Sequence, residues 1–123
     1  MKKLLAILSI VALSGCSYFV KYDTGEYTLL NEIATISQVA KDCDKLAIQG
    51  LEYKMHELTN YSSALPNNEK IVEMNGHLAA MINEYYARLE SKQPMSTMYC
   101  NTKFKVIHDT AHAIQKTAGS KMR

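Results

Sequence analysis

The chain has 123 residues, 47% of them hydrophobic, and a formal net charge of +2. That length builds one small domain and no more. Acidic and basic residues are interspersed in runs no longer than two, which excludes the clustered basic face of a nucleic-acid binder.

The first element is an N-terminal segment unlike the rest. Lys2 and Lys3 precede ten residues, 4–13, that are apolar except for Ser9; Ser14, Gly15 and Cys16 follow. A charged start, a short apolar middle and a small-residue exit make a secretory signal. Ten helical residues rise only about 15 Å, half of a bilayer core of about 30 Å, so the segment is too short to span a membrane.

The exit, Leu13-Ser14-Gly15-Cys16, resembles the lipobox of bacterial lipoproteins. The resemblance covers the N-terminus alone. It implies a signal peptide over residues 1–15, cleavage before Cys16, and a diacylglycerol group on Cys16 as the only non-protein group. Ser17 in the next position, where Asp would retain the protein, implies sorting to an outer membrane. Residues 1–15 hold two of the fourteen basic residues and none of the twelve acidic ones, so the remaining 108 residues are formally neutral.

Cys43 and Cys100 are then left as a pair in a chain addressed to an oxidising compartment. A disulfide between them is expected, with two buried thiols as the other reading. The bridge closes a loop of 58 residues, worth about 4 kcal/mol in the chain-entropy model.

Residues 16–25 form a tether to the domain of residues 26–123. Tyr18, Phe19 and Tyr22 lie within six residues of the anchor. Amphipathic rings suit the headgroup region of a bilayer, and they equally suit packing back on the domain.

From Glu26 the pattern is helical. Leu29, Ile33, Ile36, Ala40, Cys43 and Ala47 repeat every three or four residues, then Leu51, Met55, Leu58 and Leu65 continue the stripe. Neither Pro nor a turn cluster interrupts residues 26–61. The two successive steps of four read as a stutter, which predicts one rod of 36 residues, about 54 Å long. A break near residues 42–44 or at Gly50 is the alternative.

Residues 62–68, SSALPNN, are turn-forming, with Asn67 or Asn68 suited to cap a second helix over 69–91. Its stripe is Ile71, Leu78, Ile82, Tyr85 and Leu89, flanked by Met74 and Met81. Lys92-Gln93-Pro94 ends it. Ser96 or Thr97 caps a third helix with Cys100, Phe104, Ile107, Ala111, Ile114 and Ala118 on its stripe and Gly119 at its stop. No alternating strand pattern appears. The expected fold is all-α: an antiparallel three-helix bundle with a long first helix, pinned by one disulfide.

The register of these helices puts Cys100, in the first turn of the last helix, within about one turn of Cys43. It also leaves residues 26–38 without an intramolecular partner. Leu29, Leu30, Ile33 and Ile36 would then form an exposed apolar stripe for self-association or for a target helix, unless the helix bends back or the tether covers it.

His108 and His112 stand at i and i+4, the spacing at which two imidazoles can share a metal. Relative to the core stripes, however, His56, His77 and His112 point outward and only His108 flanks the core, so no metal site is expected. Asp42 and Asp44 flank Cys43 on opposite sides of the stripe, and no nucleophile–histidine–acid order is present. Met55, Met74, Met81, Met95 and Met98 read as core filler at or near stripe positions. Tyr86 is a candidate partner contact.

Together these features predict a non-enzymatic, lipid-anchored envelope protein. It would face the periplasm from a membrane and bind another envelope protein as an accessory, assembly or inhibitory subunit. An oligomeric spacer is the alternative, as is a phage or mobile-element exclusion or lysis lipoprotein. Neither nucleic acid nor a dissociable cofactor is expected.

Overall fold

A computed structural model describes residues 22–120; Cys16, Tyr18 and Phe19 lie outside that range. Four helices fill it: α1 (Thr24–Val39), α2 (Lys45–Ala64), α3 (Glu69–Glu90) and α4 (Thr97–Gly119). Each begins at a polar residue. Asp23 accepts from Glu26 N–H, Asp44 from Leu46 and Ala47 N–H, and Ser96 from Tyr99 N–H. These are three of the orphan-donor sites that side-chain caps satisfy. Asn68 occupies the cap position of α3, but its amide is used elsewhere.

The long first helix is two helices. Residues 40–44 form a turn in which Asp42 takes a left-handed conformation (φ 55°) and donates its N–H to Asn101 Oδ1 at 3.1 Å. Aspartate tolerates that conformation better than most residues, and the next aspartate, Asp44, then caps α2. Ser37 Oγ donates back to the carbonyls of Ile33 and Ala34 in the last turns of α1, offering the backbone an alternative to continued helix. The break falls in the Asp42 region, and Gly50 lies within the continuous α2.

With the break, α1 lies between α2 and α4, and α3 closes the other side; the diagonal pairs bring no Cα atoms within 8 Å of each other. Neighbours run antiparallel. Across α1 and α2, Asp23 meets Tyr61 and Ile36 meets Gly50; across α1 and α4, Asn31 meets Gln115 and Ala34 meets His108. The fold is therefore a four-helix, up-and-down bundle rather than the expected three-helix one.

The core follows the sequence stripes. Leu51 and Leu58 of α2, Leu78 and Ile82 of α3, and Ile107 of α4 are fully buried. Tyr85 is also buried, edge-on to Phe104 (centroids 5.1 Å) and Tyr99 (6.0 Å). Its hydroxyl donates to Cys100 O at 3.4 Å, and burial pushes its pKa far above that of free tyrosine.

Leu30 and Ile33 are fully buried as well, and Leu29 and Ile36 are half-buried against the core. The exposed stripe expected on the lower part of the first helix is thus absent. Folding α1 back beside α2 and α4 removes that stripe from water, so these four residues supply core contacts instead of a partner surface. Among the described residues, no helix is long and apolar enough to cross a membrane.

Candidate functional site

The antiparallel arrangement gives the bundle two distinct ends. One, called the tether end because residues 22 and 23 lead into it, gathers the start of α1, the α2–α3 turn and the end of α4. The other gathers the α1–α2 turn, the end of α3 and the start of α4.

At the tether end a buried polar network ties α1 to the α2–α3 turn. The Glu26 carboxylate, fully buried, accepts from Asn68 Nδ2 at 2.6 Å. Asn68 Nδ2 also reaches Ser62 O at 3.0 Å, and Asn75 Nδ2 donates to Ser62 Oγ at 3.0 Å. Ser62 is therefore a structural hydroxyl. Outside this network, Tyr61 donates to Asp23 Oδ1 at 2.6 Å, and that bond holds the tyrosine pKa above its ordinary range. Glycine at position 25 makes room for the ring: a Cβ there would lie 2.5 Å from Tyr61 Cζ. Tyr22 packs on Tyr27 (centroids 5.5 Å), and a Cβ on Gly119 would meet the Tyr27 ring at 3.1 Å.

At the far end, Cys43 and Cys100 are joined as a disulfide with their Cα atoms 5.2 Å apart, well inside the span a disulfide requires. The bridge fastens the α1–α2 turn to the first turn of α4, as the helix register requires. Around it stand the most exposed large apolar side chains of the described chain: Leu46 and Met98 at 79% and Val39 at 66% exposure. Met98 thus departs from its expected role as core filler. Met55 is buried, and Met74, Met81 and Met95 pack against the core. Leu46 and Met98 were missed as surface residues in the sequence; the signal that marks them is phase, since neither falls on the stripes that carry Ala47 and Cys100.

The histidines lie where the stripe phases place them. His56, His77 and His112 are exposed and His108 is half-buried. The His108 and His112 rings stack with centroids 6.0 Å apart, while His108 Nδ1 sits 2.9 Å from Ala34 O. A carbonyl only accepts, so Nδ1 carries the proton. Among the described residues, no three His, Cys, Asp or Glu side chains gather as a metal site would require.

Asp42 and Asp44 serve the turn and the α2 cap, and Tyr86 is half-buried beside the core, where the Glu90 carboxylate raises its pKa. A groove of about 370 Å³ between α1 and α4 is lined by Ser37, Lys41, Phe104, Lys105 and His108, among others. Ser37 Oγ is spent on α1 carbonyls there, and Lys105 pairs with Asp109 at 2.8 Å.

No family model, curated protein or solved structure matches this chain.

Proposed function

We propose that the chain is a small lipoprotein, held through acylated Cys16 to a membrane on its periplasmic side. It acts there without catalysis as an accessory or inhibitory subunit of another envelope protein. The observation that carries this reading is the lipobox-like Leu13-Ser14-Gly15-Cys16 behind a short apolar segment. The disulfide between Cys43 and Cys100 supports it, because such bridges persist in exported proteins. The serine after Cys16 favours the outer membrane.

The exposed Val39, Leu46 and Met98 at the disulfide end are the surface on which a protein partner would dock. Self-association through α1 loses its basis, since the residues that would have mediated it are in the core.

Two measurements test the reading. The intact mass of protein extracted from membranes should correspond to a chain beginning at Cys16 plus its acyl groups; the mass of the unprocessed chain overturns it. Photocrosslinking in intact cells from position 46 or 98 should yield one dominant adduct with a different envelope protein. Adducts only with the chain itself would favour a spacer role instead.

A further inference from the structure

The tether is short. Six residue steps separate Cys16 from Tyr22, and at full extension they reach only about 20 Å. By contrast α4, with 23 residues, is about 34 Å long. A lipid on Cys16 therefore keeps the start of α1 beside the bilayer, whereas the disulfide end is a full helix length away.

The surface that meets the bilayer has the chemistry of an interfacial contact. Tyr22 and Tyr61 are 38% and 39% exposed there, Tyr22 packs on Tyr27, and Tyr27 lies against the end of α4. Tyrosine suits the headgroup layer because its ring is apolar and its hydroxyl is wet. Asp23 holds the Tyr61 ring in place, so little side-chain freedom is lost on contact. Among the described residues this end has no basic excess, since Lys70 and Lys116 stand with Asp23, Glu26, Glu69 and Glu73. Attraction at this end is thus interfacial, not a polybasic pull on anionic lipid.

We infer that the bundle stands end-on, with Tyr22, Tyr27 and Tyr61 docked in the headgroup layer of the bilayer that holds Cys16. The inference rests on the lipoprotein reading. The anchor supplies the proximity that makes a small contact sufficient, since a tethered surface binds at high effective concentration. The consequence is orientation: Val39, Leu46 and Met98 are held away from the membrane and face the periplasm.

The chain contains no tryptophan, so a single one reports cleanly. Mature lipidated protein carrying Tyr22→Trp, Tyr61→Trp, Tyr53→Trp or Leu46→Trp is reconstituted into phosphatidylcholine vesicles with and without acyl-brominated lipid. All four positions are solvent-exposed, which spares the core. The expected result is strong quenching for Tyr22→Trp and Tyr61→Trp, several-fold above that for Tyr53→Trp, and none for Leu46→Trp. Equal quenching of Tyr61→Trp and Tyr53→Trp would mean a bundle lying on its side and would overturn the inference. Protein that floats with the vesicles yet shows no quenching at Tyr22→Trp overturns the end-on contact and leaves the anchor standing. Protein that carries no acyl group and does not float overturns both.

Discussion

At the scale of single residues, the tether end depends on pairs whose polar atoms have no access to water. Asn75 is 3% exposed and Ser62 fully buried, and their side chains share one hydrogen bond. Asn75 Oδ1 is buried with no hydrogen-bond partner among the described residues. Such groups follow an asymmetry: orphaning one member costs about 1–3 kcal/mol, whereas replacing both by apolar groups of similar shape is nearly neutral. Ser62→Ala should therefore lower stability by about 1–3 kcal/mol, read from urea midpoints. Ser62→Ala/Asn75→Leu should return close to the parent, because the second change removes both the stranded amide and the unpaired carbonyl. Additive losses in the double variant would show that the two residues act separately. None of this was readable in the sequence. Ser62 and Asn75 lie 13 residues apart on different helices, and only the α2–α3 turn brings them together.

At the scale of elements, the helix stripes were legible, and the end of the first helix was legible only as the alternative to one continuous rod. Leu51, Leu58, Leu78, Ile82 and Ile107 are core residues because their three- and four-residue spacing leaves no other face to bury. Residues 40–44 carry no Pro or Gly, and Ala40, Cys43 and Ala47 stay in phase across the break, so periodicity alone reads through it. The signal lay in Asp42 and Asp44, one tolerant of positive φ and the other a strong cap. α3 allows a test of local propensity free of packing. A Cβ added at Gly76, on the exposed face of that helix, meets nothing within 4 Å. Gly76→Ala should therefore stabilise by about 1 kcal/mol, the propensity difference. For a domain of this size that corresponds to a rise in Tm of about 4–8 °C. An unchanged or lower Tm, measured by circular dichroism, would place a contact at Gly76 that this fold does not contain.

At the scale of the whole molecule, the two ends are secured by different means. The tether end has a polar network; the far end has the bridge between Cys43 and Cys100, the cap at Asp44 and the Asp42–Asn101 hydrogen bond. The bridge was legible because the register of α2, α3 and α4 determines it, and the break lies N-terminal to all three. Closing a loop of 58 residues in the unfolded chain is worth about 4 kcal/mol. The Asp44 cap contributes about 1 kcal/mol and the exposed Asp42 contact no more than that. The bridge should therefore dominate. Reduction by dithiothreitol, which leaves both sulfurs in place and opens no cavity, should lower Tm by 15 °C or more, at about 4–8 °C per kcal/mol. A fall of only a few degrees would show that the caps hold the turn without the bridge. The loss should also be local at first. Hydrogen exchange should accelerate in residues 40–46 and 96–100 before it does around Glu26 and Asn68, because subglobal opening starts where the fewest contacts remain. If the proposed docking surface at Leu46 and Met98 and the proposed lipid on Cys16 are both right, crosslinks from position 46 should then disappear on reduction while the protein stays with the membrane. That dissociation of docking from anchoring is expected only if the disulfide shapes the far end of the bundle.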